Sequence, residues 1–484
     1  MKLKFGKYFF IILFFLYLFF VYDTGFHGPD EPIYLAYTAS IVEDGDLNAI
    51  NNFYRDGKFV SKTYNLPDPR NYGGVLLWWP FYAYAKVIYF IAVQFNLTNS
   101  AIEGFSRLAN CAMSFSTIVF GFFCLMLSYR LCRIFFSSRI ALWSTLIIFL
   151  GIPFFYYMLY ETGNANILAC LFCTLLIWFC GCMVNMKKSH WFLFGLFFSI
   201  CIVIKIDLWL NLLFIFPFFV ILCMSRQIDW KNGIYFIVGF IPGFILRTIN
   251  VYLKYGAFQT EEAHFKYLKL NLSDYRFVFT FEWLFNSYRG LFYMSPIFLV
   301  CLLGFILLAT KMLKKSKPQD TNKKIKDIFL FILVFYAIGK LFFIGVISGY
   351  KHGVDLAARH VLTEFPIFVL LCASLLQNRN KYLRYFVAII SAFFVFWNML
   401  IVSEYMTGLD WTYITGAPGI YARIIPLKHV LFVLFGIKDL NLKLKFCLPL
   451  VIVVYGIIFY MKSGLIKSNF YPFLQSKDEK TEKK

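Results

Sequence analysis

The chain leaves its first apolar run through His27-Gly28-Pro29-Asp30-Glu31-Pro32-Ile33-Tyr34-Leu35-Ala36-Tyr37, and the adjacent carboxylates of Asp30 and Glu31 are the residues best suited to chemistry. Pro32 fits the first turn of a helix, where its missing N–H removes no hydrogen bond. The expected helix runs to about Glu43. At its head the helix dipole stabilises the ionised carboxylates. Capping is the ordinary use of an isolated Asp-Glu-Pro. A carboxylate held there can also take a proton from a substrate hydroxyl. Location raises that second use, because the pair sits a few residues beyond a membrane exit, at the head of an amphipathic helix.

The cations worth weighing are Arg359, Arg289, His360 and Lys351, with Lys58, Lys62 and Arg70 in the first polar loop. A guanidinium can grip phosphate through two parallel hydrogen bonds, which makes Arg359 the best candidate for an anion. The bland use is equally physical: Arg289 and Arg359 stand at helix ends, where Arg commonly snorkels. His360 can simply hydrogen-bond the start of its helix. Lys58, Lys62 and Arg70 are weaker candidates for substrate contact. Glu261, Glu262 and His264 resemble a partial metal set, but a solvated helix face explains them better than that spacing does.

These residues must be held by apolar elements. Of 484 residues 60% are hydrophobic, 21% aromatic and only 15% charged, and mean hydropathy is +0.68. A soluble chain of this length would carry more charge. Apolar runs of roughly 17–25 residues recur, long enough to cross a hydrocarbon core of about 30 Å. The segments are 8–22, 105–129, 140–158, 164–184, 191–206, 208–224, 233–254, 290–310, 328–347, 361–377, 385–403 and 446–462. The expected fold is an all-α polytopic membrane protein with about twelve transmembrane helices. Residues 1–463 form one membrane domain, and 464–484 a charged tail expected to be disordered.

The net charge of +21 is explained by the membrane and not by nucleic acid, since Lys and Arg fall mostly in short links between apolar segments. The twelve cysteines lie in or beside those segments, so neither a disulfide framework nor a zinc site is indicated. Cys170 and Cys173 form a C-x-x-C inside an apolar helix, where they read as small packing residues. Lys2, Lys4 and Lys7 precede the run Tyr8–Tyr22 with no small-x-small cleavage site after it, as in an uncleaved signal anchor.

One further apolar stretch, 73–95, decides the sidedness of everything after it. If it does not cross, Arg130/Arg133/Arg139, Lys187/Lys188, Arg226/Lys231, the run from Lys311 to Lys326 and Arg379/Lys381/Arg384 are all cytoplasmic, as are both termini. If it crosses, all of them are exported, against the positive-inside bias. The stretch is therefore expected to lie along the outer surface, with Trp78, Trp79, Tyr82 and Tyr84 suited to the interface. Regions 23–104, 255–289, 348–360 and 404–445 are then outside. The expected location is the inner (plasma) membrane.

Asp30-Glu31-Pro32 through Tyr34 to Glu43-Asp44-Gly45-Asp46-Leu47, then Asn51-Asn52, resembles the first outer loop of bacterial glycosyltransferase family 39-like proteins. These belong to the GT-C class, whose relatives include aminoarabinose transferases and protein O-mannosyltransferases. Tyr288-Arg289-Gly290-Leu291-Phe292-Tyr293-Met294-Ser295-Pro296 and Ala358-Arg359-His360-Val361-Leu362 through Pro366 fit the same pattern. The order of these short motifs along the chain carries the resemblance, and a juxtamembrane helix at 73–95 matches the class as well.

The resemblance implies transfer of a sugar from a polyprenyl-phosphate carrier to a lipid, glycan or protein acceptor at the outer face. Asp30 would be the general base, with Glu31 as orienting partner or alternate. The departing lipid phosphate needs cations, supplied by Arg359 with Arg289, His360 and Lys351. Some enzymes of the class use a divalent cation, which leaves that requirement open. One departure is that relatives carry a Pro-rich or Lys-Pro element before the juxtamembrane helix, where this chain reads Asn65-Leu66-Pro67-Asp68-Pro69-Arg70-Asn71-Tyr72-Gly73-Gly74. That weakens assignment of phosphate contacts in the loop.

Two other classes compete. A transporter or lipid-linked glycan flippase places ionisable residues midway through the membrane. Here Lys205 and Asp207 fall at an outer boundary and Lys340 is the main charge within a helix. An O-antigen polymerase or ligase would carry its principal loop late in the chain.

Overall fold

In an apolar medium each segment must satisfy its own backbone N–H and C=O groups, and the helix is the local way to do so. The computed structural model describes residues 31–45, 73–95, 102–255, 281, 283–285, 290–314, 321–348, 359–378 and 380–406. These residues are all-helical, with no strand among them. Of the twelve expected segments, 8–22 and 446–462 lie outside the described residues, and the other ten coincide with helices.

In chain order the helices are α1 (Glu31–Ala39), α2 (Val75–Gln94), α3 (Ile102–Phe135), α4 (Ser138–Gly151), α5 (Phe154–Leu159), α6 (Ala165–Cys182) and α7 (Lys188–Ile204). After a 3-10 turn at Ile206–Asn211 come α8 (Leu212–Met224), α9 (Lys231–Tyr255), the single turn α10 (Leu291–Met294), α11 (Ile297–Lys314) and α12 (Thr321–Ser348). A further 3-10 turn, Arg359–Glu364, leads into α13 (Phe365–Leu376), and α14 (Lys381–Met406) follows. Two expected segments are broken near an end. Pro153 separates α4 from α5, and Ser295-Pro296 separates α10 from α11, because Pro cannot donate into a helical ladder.

Among the described residues five helices are long and apolar enough to cross a membrane: Val75–Gln94, Leu108–Phe135, Ala165–Cys182, Lys231–Ile249 and Lys381–Val402. Shorter apolar helices stand beside them at Ser138–Gly151, Lys188–Ile204, Leu208–Met224, Ile297–Lys311 and Val361–Leu376. The chain is a membrane protein on this evidence.

Helix α13 is the axis of the bundle, since every residue from Phe365 to Leu376 is buried. Pro366 sits in its first turn, where Pro favours helix initiation. Phe365 meets Phe154 with ring centroids 4.5 Å apart, and Phe368 meets Phe298 edge-on at 4.8 Å. Helix α6 is nearly as enclosed, packing on α3 and on the turn Arg359–Glu364. At the periphery α9 packs mainly on α7 and turns Ile237, Ile241 and Phe244 outward.

Lipid is as apolar as a Leu side chain, so helices associate through close packing and not through hydrophobic transfer. The pair α7–α9 shows how. A Cβ on Gly195 would run into the Phe236 carbonyl, and one on Gly239 into the Phe192 carbonyl. The two helices touch backbone to backbone there, and the adjoining Phe194–Phe236 and Phe198–Phe240 ring contacts fill the flanks.

Candidate functional site

The described part of α1 opens at Glu31 and contains Pro32, and a π-helical turn at Ser40–Asp44 extends it through Glu43. Asp30 lies outside the described residues. Ile33, Tyr34, Ala36 and Tyr37 are buried, so the helix is docked and not free in solvent. Its partner is α2. Tyr34 meets Trp78 edge-on with centroids 5.0 Å apart, and the Tyr82 hydroxyl donates to Glu43 Oε1 at 2.5 Å. Val75, Trp78, Tyr82 and Ala85 form the buried stripe of α2, at the spacing of one helical face. Leu76, Tyr84, Val87, Ile88, Phe90 and Ile91 face outward.

The start of α2 is anchored by contact with α7. A Cβ on Gly73 would overlap the Val203 carbonyl, so only glycine allows this approach. Two residues beyond Val203, Lys205 is the C-terminal cap of α7 and is half-buried. Its Nζ donates to Asn166 Oδ1 at 2.9 Å, in the first turn of α6. Asn164 caps that helix by accepting from the Asn166 N–H at 3.1 Å, and its Nδ2 donates to Glu161 at 3.1 Å. Glu161 is buried. Thr162, next to it, is tied to α3 by Ser114 at 2.6 Å and by Thr117, whose hydroxyl donates to the Thr162 carbonyl.

On the other side of α6 lies a buried ion pair. Lys340 Nζ of α12 is 2.5 Å from Glu364 Oε1, with side chains 0% and 1% exposed. The same ammonium donates to Thr363 Oγ1 at 2.7 Å. The Thr363 hydroxyl also lies 2.9 Å from each Glu364 oxygen. Tyr336, one turn before Lys340, points its hydroxyl at Glu364 (3.4 Å) and at Asn211 Oδ1 (3.0 Å). Cys173 of α6 donates to the same Asn211 oxygen at 3.3 Å. Lys205 lies within electrostatic reach of Glu364. A string of polar groups, joined between Lys205 and Glu364 only through space, thus runs from Ser114 to Asn211 and links α3, α6, α7, α12 and the turns Ile206–Asn211 and Arg359–Glu364.

Arg359 heads the turn whose last residue is Glu364, and its side chain is half-buried. His360 is the second residue of that turn. Lys351, Arg289, Lys58, Lys62, Arg70 and the set Glu261, Glu262 and His264 lie outside the described residues. Among the described residues no group of three His, Cys, Asp or Glu could hold a metal ion. The second motif stretch is fixed by α14. Trp397 Nε1 donates to the Tyr293 carbonyl at 2.9 Å, Asn398 Nδ2 donates to the Leu150 carbonyl at 2.8 Å, and Ser295 Oγ lies 3.5 Å from Asn398 Oδ1.

Cys170 and Cys173 are buried, as packing residues should be, with Cys170 Sγ 3.3 Å from Cys124 Sγ across the α3–α6 contact. Sequence reasoning missed Glu161 and Glu364. A signal existed for the latter. Glu364 is the sole charge in 361–377 and Lys340 the sole charge in 328–347, and they are of opposite sign. Two such charges in neighbouring apolar segments have each other as natural partners. No family model, no curated protein and no solved structure matches the chain.

Proposed function

We propose that the chain is a membrane glycosyltransferase that moves a sugar from a polyprenyl-phosphate donor to an acceptor at the extracytoplasmic face, inverting the anomeric centre with a carboxylate as general base. The observation that carries this reading is the junction at Gly73. There the helix pair α1–α2, headed by Glu31, meets the end of α7 beside Lys205. Lys205 is bonded to α6, and α6 packs on the turn headed by Arg359. These contacts link elements that carry acidic and cationic residues far apart in the sequence, which supports a reading as transfer from a lipid phosphate.

In this reading about twelve helices span the membrane, both termini are cytoplasmic, and α2 lies along the outer surface. Length does not decide the last point, since α2 is long enough to cross. Charge does. Lys86 is exposed near the middle of α2, and a cation facing lipid at the bilayer centre costs about 2.5–3.5 kcal/mol on insertion scales. Along the surface the same residue reaches headgroups at no such cost. Asp30 takes the proton of the acceptor hydroxyl, Glu31 orients it, and Arg359 with Arg289, His360 and Lys351 receives the phosphate charge. Replacing Asp30 with Asn and assaying sugar transfer in membranes tests the reading.

A second reading draws on a different observation. The buried Lys340–Glu364 pair is the kind of intramembrane charge that a transporter or lipid-linked glycan flippase uses. Flux of a labelled lipid-linked sugar across proteoliposomes, without formation of glycosylated product, would favour it.

A further inference from the structure

The turn Arg359–Glu364 is short, and a 3-10 turn has poorer hydrogen-bond geometry than an α-helix. Its position must therefore be set by side-chain contacts: Val361 and Leu362 are fully buried, the turn packs on α6, and α12 holds its Glu364 end. At the Glu364 end those contacts come from α12. Lys340 supplies the ion pair and a hydrogen bond to Thr363, and Tyr336 adds a contact one turn earlier. Lys340 and Glu364 are 24 residues apart, so their contact ties the turn directly to α12. Arg359 and His360 open that turn.

We propose that the Lys340–Glu364 pair is a clamp that positions Arg359 for the donor phosphate. Lys340 and Glu364 are positioning residues, since both are buried and act through the turn. The surrounding bonds favour a clamp over an adventitious contact. Glu364 is met by Lys340, Thr363 and Tyr336, and Tyr336 is itself held by Asn211, which Cys173 also contacts. A buried pair satisfied on this many sides has one arrangement available to it, and that arrangement fixes the register of the turn against α12 and α6. The assignment rests on the phosphate role of Arg359 given above, while the clamp itself does not.

Hydrogen exchange and transfer kinetics on the full-length protein in nanodiscs separate the two. With Glu364→Gln or Lys340→Met, exchange of the peptide spanning Arg359–Glu364 should rise more than that of the remainder of the bundle. KM for the polyprenyl-phosphate sugar should rise on the order of tenfold to a hundredfold, with a smaller change in kcat, as misplacement of a positioning group produces. The exchanged pair Lys340→Glu with Glu364→Lys should restore part of both. Unchanged exchange in folded Glu364→Gln protein overturns the clamp. Raised exchange with an unchanged donor KM overturns the positioning of Arg359. Raised exchange in a protein whose wild type transfers no sugar upholds the clamp and overturns the transferase reading instead. Should Glu364→Gln fail to fold, Tyr336→Phe is measured in the same way, and no change in its exchange overturns the clamp.

Discussion

Lys340 and Glu364, each the lone charge of its apolar segment, meet at 2.5 Å in the interior of the helix bundle. Removing one partner leaves the other charge buried without compensation, which costs about 3–5 kcal/mol, whereas replacing both with apolar residues is often neutral. Lys340→Met and Glu364→Leu should each lower the thermal unfolding midpoint in detergent strongly. The double variant should recover most of the loss. Equal destabilisation by single and double variants would show that the two residues act separately.

The α7–α9 contact depends on the absence of side chains at Gly195 and Gly239. Gly239→Leu should force the helices apart and reduce the yield of folded protein. Gly233→Leu, on the same helix but facing only the edge of the Phe219 ring, should be milder. Size-exclusion profiles of the detergent-solubilised variants check this. Leu favours the helix more than Gly does, so similar loss at both positions would show that the sensitivity does not come from the close approach at Gly239.

Sidedness follows from where the charges lie. A single cysteine introduced at Ser61 should react with a membrane-impermeant maleimide in intact cells, and one at Ser316 only after the membrane is opened. Equal reactivity would place α2 across the membrane and reverse every later link.

Much of the fold was legible because an apolar run about 20 residues long in a membrane chain has little choice but to be helical. Helix α1 was legible for a local reason, Pro32 at its start. The interior polar string was not. Asn166–Lys205 and Tyr336–Asn211 join residues 39 and 125 positions apart, and pairing at that range is set by how helices pack. Glu364 lies in the same short stretch as Arg359 and His360, whose charge is what a surface position also carries, so nothing local marks it as buried. The break at Pro153 was written in the sequence and was absorbed into a longer apolar segment, because hydropathy averages over single residues.

The central claim is that the carboxylate pair at the head of α1 serves chemistry. The most direct measurement is transfer of radiolabelled sugar from polyprenyl-phosphate donors in membranes carrying wild-type or Asp30→Asn protein at matched abundance. Loss of a general base should lower the rate by about 10²–10⁴-fold, with folding intact. Transfer at near wild-type rate by Asp30→Asn would contradict the assignment.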